Sequence, residues 1–306
     1  MALMIATSAL SVDADIRRNL RAVLLQMRRA RDRGAQVVHF PECCLSGYAG
    51  VDFPSYRGFD WSLLRQSTER VQEEARQLGL WVVLGSSHPL SGDHKPHNSV
   101  YVIDASGDLV DRYDKLFCAG PASADEGDLA HYSSGSHFCN FELQGVTCGV
   151  LICHDYRYPE LYRHYKQRGV QMMFHSYHAG NVGSDRWQSM HESTGLDNHR
   201  FHGGAGTLPG ITMPATMISM AANNYVWISA SNTSARESCW PSFFVRPDGV
   251  VTGRLRRNRG GLLLSEVDTA TPFYDSTAAW RDRCIDGLFH SGELVDDPRS
   301  EDRRSL

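Results

Sequence analysis

The apolar residues of the chain follow two alternating spacings, one typical of strands and one typical of helices. Residues 1–10 form a short apolar run, which predicts a strand. Residues 16–27 repeat apolar side chains every three or four positions, which predicts a helix that Gly34 ends. A β-branched run at 35–40 predicts the next strand, so the chain begins with a β-α-β unit.

The same alternation continues to the end of the sequence. Further helices are predicted at 62–78, 160–168, 185–202 and 213–223, the last two separated by the flexible run 203–210. Further strands are predicted at 80–86, 98–104, 109–115, 138–143, 146–153, 170–175, 225–230, 243–246, 250–255 and 261–267. Some neighbouring strands are joined by short turns and others by helices. This mixture predicts a layered α/β protein with mixed sheets.

No internal repeat or low-complexity linker divides the chain, so we expect one domain over residues 1–268. Residues 269–306 form a C-terminal tail. Its large apolar side chains are Phe273, Tyr274, Trp280, Ile285, Leu288 and Phe289. Because such side chains are unstable in water, we expect the tail to pack on the domain or on a partner subunit.

Composition excludes several classes of protein. With 42% hydrophobic residues, the 306-residue chain can build a core, and a net charge of −4 does not favour nucleic acid as a partner. No apolar stretch approaches the roughly 18 residues of a membrane helix, so no membrane association is expected. No basic residue precedes the apolar start, which does not fit a secretory signal. We therefore expect a cytoplasmic protein whose eight cysteines are mostly reduced.

An acid, an amine and a thiol follow three of the predicted strands. Glu42 follows the strand at 35–40, Lys115 ends a strand, and Cys153 ends another. Carboxyl ends of neighbouring strands meet at one crevice in α/β proteins, so these side chains are expected to converge. A carboxylate can accept the proton of a thiol. An ammonium can stabilise the oxyanion that forms when the sulfur attacks a carbonyl group.

Lysine usage points to the same site. Only three of the 31 basic residues are lysines, namely Lys95, Lys115 and Lys166. A lysine kept against this preference for arginine is a candidate for a site that needs a compact ammonium group.

Three segments around these residues carry a resemblance to a known family. FPECCLSGY at 40–48, YDKLF at 113–117 and GVLICHDYRYPELYR at 149–163 resemble the signature segments of the nitrilase superfamily of carbon–nitrogen hydrolases. The third segment is the most specific, with matching residues at Cys153, Asp155, Arg157, Pro159, Glu160 and Arg163. The order and spacing of the segments also match, and the resemblance covers about residues 1–270.

The resemblance implies a fold and a set of roles. The fold would be a four-layer α-β-β-α sandwich with two mixed sheets. Glu42 would be the general base, Cys153 the nucleophile, and Lys115 the cation of an oxyanion hole shared with the backbone N–H of His154. Family members need no metal or cofactor, and they form homo-oligomers from dimers upwards.

A second acidic residue of the family is harder to locate. It lies between the lysine and the cysteine, a few residues before a glycine, and here that segment is DEGDLAHYSSG at 125–135. Glu126 has the right side chain but lies far from Gly135, whereas Asp128 has the more usual spacing and is one methylene shorter. The prediction favours Glu126, with Asp128 as the alternative.

The branch of the superfamily sets the expected reaction. CHDYRYPE resembles the amidase and carbamoylase branches, which implies cysteine-dependent hydrolysis of a small linear amide or N-carbamoyl compound with release of ammonia or amine. The residues expected to contact the substrate are Tyr48, Asp155, Arg157, Ser176, Tyr177 and His178. A nitrile hydrolase with the same triad and a catalytically silent oligomeric member of the family remain as alternatives.

Histidines suggest two other sites that we do not favour. His154 follows the thiol, but neighbours on an extended strand point to opposite faces, so its ring should face away. Several histidines cluster at 175–202, yet they lack the spacing of a zinc motif. We therefore predict neither a Cys/His dyad nor a metal site.

Overall fold

Two six-stranded sheets form the centre of the computed structural model, which describes residues 2–203 and 206–304. The strands are β1 (Leu3–Ala9), β2 (Val37–His39), β3 (Trp81–His88), β4 (His97–Ile103), β5 (Leu109–Asp114), β6 (Asn140–Leu143), β7 (Val146–Ile152), β8 (Met172–Tyr177), β9 (Trp227–Asn232), β10 (Phe243–Val245), β11 (Val251–Arg254) and β12 (Gly261–Val267). The helices are α1 (Ile16–Asp32), α2 (Trp61–Leu78), α3 (Pro159–Gln167), α4 (Ser184–Glu192), α5 (Leu208–Asn224), α6 (Arg281–Ile285) and α7 (Pro298–Glu301). Three short 3-10 helices lie at Gly127–Ala130, Cys153–Arg157 and Leu196–His202.

Both sheets are mixed, as the sequence predicts. The first has the order β12-β1-β2-β3-β4-β5, and its members β1, β2 and β3 run parallel. The second has the order β11-β10-β9-β8-β7-β6, and its members β7, β8 and β9 run parallel. The remaining neighbours pair antiparallel as hairpins or sheet edges.

Helices α1 and α2 cover the outer face of the first sheet, α3 and α5 cover that of the second, and the inner faces pack on each other. Val23 of α1 and Val71 of α2 are buried in one core with the first sheet. Tyr162 of α3 and Met217 of α5 are buried in a second core, which also contains Ile5 from the inner face of the first sheet. The expected four-layer α-β-β-α sandwich is thereby confirmed.

A polar seam joins the two sheets inside this sandwich. Ser229 Oγ lies 2.7 Å from Thr7 Oγ1 and 2.8 Å from His39 Nδ1. Burial lowers the pKa of His39 well below its ordinary value, so the ring is neutral. Ser176 Oγ donates to the Phe40 carbonyl at 3.0 Å and contacts His39 Nε2. The expectation that Ser176 contacts substrate is wrong, because alternation along β8 turns its side chain toward the opposite sheet.

The segment between β8 and β9 differs from its prediction. The helix expected at 185–202 is split into α4 and the 3-10 helix Leu196–His202. Helix α5 begins five residues before the expected start, because Thr207 caps it through a bond from the Gly210 N–H, and Pro209 in the first turn needs no N–H partner. Gly204 and Ala205 of the expected flexible run lie outside the described residues.

The C-terminal tail begins against the domain. The Phe273 ring lies edge-on to Trp227 at 5.4 Å and under the Arg246 guanidinium at 4.4 Å. Farther along, Tyr274 and Phe289 are exposed. A role for this exposed part at a partner subunit stays a prediction, and Ser305 and Leu306 lie outside the described residues.

Two further features bear on expectations from composition. All eight cysteines are free thiols. Within the described ranges, no helix combines the length and the apolar character needed to cross a membrane.

The turn after β7 is tied to the end of β5 by one buried carboxylate. Asp155 accepts hydrogen bonds from the Ile152 N–H at 3.0 Å, the Phe117 N–H at 2.9 Å and the Tyr113 hydroxyl at 2.8 Å. The side chain is fully buried and both of its oxygens are engaged within the protein. Asp155 therefore holds together the two loops that carry Lys115 and Cys153, and a contact between Asp155 and substrate stays a prediction.

The Asp155→Asn variant should depend on pH differently from the wild type. Burial raises the pKa of Asp155 from 3.8 to about 6, so the native protein binds this proton more tightly than the unfolded chain does. Its stabilising contribution is complete below about pH 4 and is lost as the pH rises through about 6. Relative to the wild type, the variant should gain about 2 kcal/mol in free energy of unfolding between about pH 4.5 and about pH 7.5. Urea unfolding measures this, and a constant difference between the two proteins would contradict it.

Candidate active site

Four residues that follow strands meet where the two sheets end. Glu42 and Lys115 follow β2 and β5 of the first sheet, and Cys153 and His178 follow β7 and β8 of the second. All four strands point the same way within their sheets, so their carboxyl ends share one edge. Within the first sheet, Glu42 and Lys115, which lie 73 positions apart, are in direct contact. The packing of the two sheets brings both edges together, so that Glu42 also accepts from the backbone N–H of His178 in the second sheet.

The Glu42 carboxylate is held by three donors. Its Oε1 accepts from Lys115 Nζ at 2.9 Å and from Asn98 Nδ2 at 2.7 Å. Its Oε2 accepts from the backbone N–H of His178 at 2.8 Å. The side chain is fully buried, so these bonds fix the direction in which the carboxylate points.

Lys115 carries its charge inside the protein between two carboxylates. Its Nζ donates to Glu42 and, at 2.8 Å, to Asp128 Oδ2, with the Tyr48 hydroxyl at 3.4 Å. Burial alone would lower the pKa of Lys115, but the charges of Asp128 and Glu42 outweigh burial and raise it well above its ordinary value. The ammonium group is therefore permanently charged at physiological pH.

Asp128, and not Glu126, is the second acidic residue of this cluster. Asp128 accepts from Lys115, from the Ala119 N–H at 2.7 Å and from the Tyr48 hydroxyl at 2.5 Å. Lys115 keeps the pKa of Asp128 below its ordinary value, against the effect of burial. Glu126 is exposed just before the 3-10 helix Gly127–Ala130, so the expectation that favoured it is wrong.

The local fold explains why Asp128 lies in the cluster and Glu126 does not. The 3-10 helix Gly127–Ala130 turns the chain so that Asp128 faces inward. Lys95, one of the three lysines, fixes the loop from outside by donating to the carbonyl groups of Ala124 at 2.6 Å and Leu129 at 2.7 Å. Residue spacing does not reveal such a turn, although the spacing between Asp128 and Gly135 had made Asp128 the alternative prediction.

Cys153 lies beside the charged cluster in an unusual backbone conformation. Strand β7 ends at Ile152, and Cys153 has a φ of 39°, in the left-handed region that non-glycine residues rarely adopt. Burial and the negative charge of Glu42 raise the pKa of the thiol well above its ordinary value, while Lys115 and the His178 N–H oppose them. The thiol is protonated at neutral pH and requires a base to become a nucleophile.

The backbone at His154 is not the extended strand that the sequence analysis assumed. Cys153 and His154 do not continue a strand but begin the 3-10 helix Cys153–Arg157, so alternation along a strand does not apply. The His154 ring packs edge-on against Tyr158, with centroids 5.8 Å apart. Burial lowers its pKa, so the ring is neutral at pH 7. An oxyanion-hole role for the His154 backbone N–H stays a prediction.

Of the remaining residues expected to contact substrate, two lie in the cluster, one is exposed and one is buried. Tyr48 and His178 lie in the cluster through the bonds already described. Arg157 is exposed, and its guanidinium lies 4.6 Å from the centre of the Tyr156 ring. Tyr177 is fully buried and its hydroxyl donates to a methionine sulfur, so it reaches the site only through its carbonyl, which accepts from the Glu42 N–H at 3.2 Å.

Two residues of the site were not identified from the sequence. Asn98, which donates to Glu42, is the first residue of the strand predicted at 98–104, and the apolar pattern of that strand does not mark it as a site residue. Asp52 contacts His178 Nε2 at 2.9 Å. It lies in an irregular loop, where no periodicity marks it.

A metal site is not evident. Among residues 2–203 and 206–304, no three or more His, Cys, Asp or Glu side chains lie close enough together to hold a metal ion. Independence of metals and cofactors stays a prediction.

Comparisons with known proteins agree with the architecture. The family model described as carbon-nitrogen hydrolase matches residues 4–272. The omega-amidase NIT2 of Xenopus tropicalis is 29% identical over 185 residues, which cover 59% of this chain and 65% of the relative. The human omega-amidase NIT2 is 29% identical over 177 residues, which cover 56% and 62%. The chain thus spans less than two thirds of the length of either relative.

Solved structures with a similar fold include variants of an amidase from Nesterenkonia. A cysteine-to-alanine mutant of this nitrilase-superfamily amidase matches with a TM-score of 0.67 at 22% identity, covering 88% of this chain and 91% of that chain. A glutamate-to-leucine mutant matches with a TM-score of 0.70 at 22% identity, covering 93% and 96%. These structures support the fold. The family match over most of the sequence shows that the chain belongs to the carbon–nitrogen hydrolase family.

Proposed function

We propose that this protein hydrolyses the C–N bond of a small linear amide or N-carbamoyl compound through a thioester on Cys153. The observation that carries the proposal is the buried contact between Glu42 and Lys115 beside a protonated thiol. A base, a fixed cation and a sulfur nucleophile are the three groups that this reaction requires.

The first half of the reaction forms the thioester. Glu42 accepts the thiol proton while sulfur bonds to the carbonyl carbon, and the electron pair of the C=O double bond moves to oxygen. Lys115, with the backbone N–H of His154, stabilises this oxyanion. As the C=O bond re-forms, the C–N bond breaks, Glu42 returns the proton to nitrogen, and ammonia or an amine leaves.

The second half releases the acid. Glu42 takes a proton from a water molecule while the water oxygen attacks the thioester carbon. Lys115 again stabilises the oxyanion that forms. The C–S bond then breaks, and the sulfur regains its proton from Glu42. Glu42 thus carries a proton in each direction, whereas Lys115 keeps its charge throughout.

Asp128 has a supporting role in this scheme. Its carboxylate holds the Lys115 ammonium together with Glu42 and itself accepts from the Tyr48 hydroxyl. The shorter aspartate reaches the lysine because the Ala119 N–H draws its loop inward. We propose that Asp128 occupies the position of the second acidic residue of the family.

Related proteins support this chemistry in general terms. The curated relatives are named omega-amidases. A glutamate-to-glutamine mutant of the Nesterenkonia amidase carries the acetamide moiety of fluoroacetamide, covalently added at its active-site cysteine. A double mutant of that enzyme was solved in complex with acrylamide. By analogy, we propose a small amide as the substrate here.

Cys153→Ala should abolish both turnover and covalent labelling. Ammonia release is screened over linear amides, N-carbamoyl compounds and nitriles, and the intact mass is measured after incubation with fluoroacetamide. The wild type should gain one adduct and turn over an amide or N-carbamoyl compound, because Cys153 is the nucleophile. Cys118→Ala, a matched change at another half-buried thiol, should behave as the wild type.

Three results of that experiment would contradict the proposal. Unchanged turnover by Cys153→Ala would exclude the thioester. Turnover of nitriles alone would assign the same three residues to a nitrile hydrolase, and complete inactivity of the wild type would favour a silent member of the family.

Asp128→Asn and Glu126→Gln form a matched pair that separates the two acidic candidates. Asp128→Asn removes one of the two charges that hold Lys115, so kcat should fall about 100-fold or more. Glu126 is exposed and has no part in the cluster, so Glu126→Gln should stay within about twofold of the wild type. Steady-state kinetics of both variants on the same amide test this, and a loss of activity confined to Glu126→Gln would refute the assignment.

A further inference from the structure

We propose that Asp52 and His178 form a buried hydrogen-bonded pair that positions Glu42 for proton transfer. The inference rests on the proposed function, since it gives a role to groups that act through the general base. Neither residue contacts Cys153 through its side chain in any described bond, so both are positioning residues.

Asp52 connects two loops that border the site. Its Oδ2 lies 2.9 Å from His178 Nε2 and accepts from the Tyr48 N–H at 2.9 Å. Its Oδ1 accepts from Asn181 Nδ2 at 3.1 Å. The carboxylate side chain is 1% exposed. One acidic group therefore joins the loop after Glu42 to the loop after β8.

His178 links this carboxylate to the general base through its own backbone. Its ring is held by Asp52 and packs against the Tyr48 ring, with centroids 5.0 Å apart. Its N–H donates to Glu42 Oε2 at 2.8 Å. Because ring and N–H belong to one residue, a ring released by Asp52 would let the donor on Glu42 move. A displacement of about 1 Å at a reacting group is enough to slow a reaction about 100-fold.

Asp52 favours the charged form of the His178 ring, and the ring in turn favours the carboxylate form of Asp52. Burial alone would lower the pKa of His178, but the bond to Asp52 and its charge, together with the charge of Glu42, raise it above its ordinary value. In turn, His178 lowers the pKa of Asp52 against the effect of burial. The other titratable groups facing the ring are the Tyr48 phenol, which is neutral, and the Cys153 thiol, which lies near the His178 N–H.

This pair has a predictable dependence on pH. A histidine with a raised pKa keeps its charge below that pKa and loses it as the pH rises through it. The ion pair therefore exists on the acidic side and weakens on the alkaline side. Its positioning effect on Glu42 should appear as a decline of kcat at alkaline pH, with substrate binding little changed.

Asp52→Asn tests the proposal on an amide that the wild type hydrolyses. The kcat should fall about 10- to 100-fold while KM changes less than about threefold, because Glu42 acts in the chemical step. The alkaline decline of kcat should move about one pH unit lower, since the amide no longer supports the imidazolium charge. The NMR titration of the His178 ring should move in the same direction. Asp248→Asn, which breaks an ion pair with Arg246 in the β10–β11 turn, serves as the matched control. It should leave kcat, its pH profile and the ring titration unchanged.

His178→Gln provides a second variant if Asp52→Asn does not fold. Its side-chain amide can still donate to Asp52 and it retains the backbone N–H, so part of kcat should remain and the alkaline decline due to His178 should disappear. In folded Asp52→Asn, an unchanged kcat, pH profile and ring titration would overturn the inference alone. Absence of amide turnover and of a Cys153 adduct in the wild type would overturn the proposed function, and the inference with it.

Discussion

A buried ammonium group between two carboxylates is the constraint on which the site depends. Lys115 is fully buried, and a buried charge is costly unless partners compensate it. Glu42 and Asp128 supply that compensation at 2.9 and 2.8 Å. Each carboxylate is held in turn by neutral donors, so the charge of the lysine determines where two separate loops must lie.

The same charged groups also act on the protonation of the Cys153 thiol. Burial and the neighbouring Glu42 keep the Cys153 thiol protonated, although Lys115 favours the thiolate. A site of this kind does not store a reactive thiolate. Proton transfer to Glu42 must accompany attack on the substrate, and the position of the carboxylate then controls the rate. The bonds from Asn98 and His178 to Glu42 gain their importance from this requirement.

Much of this could be predicted from the sequence, and the failures have physical causes. Glu42, Lys115 and Cys153 were identifiable because strands have a regular repeat and their carboxyl ends meet at one edge. Asp128 was misjudged in favour of Glu126 because the intervening 3-10 turn decides which acid faces inward. Ser176 was misplaced because its strand contacts the opposite sheet, a relation between distant segments. Asp52 was missed because irregular loops carry no repeating pattern.

The most direct test of the account is the steady-state turnover of Glu42→Gln with a hydrolysable amide. Glutamine has nearly the shape of Glu42, but its one acceptor oxygen can keep the bond from Lys115 or the bond from the His178 N–H and not both, and it cannot accept a proton from the thiol. The account predicts that kcat falls by about 100-fold or more while KM is largely preserved. A variant that turns over at the wild-type rate would show that Glu42 is not the base and would contradict the central claim.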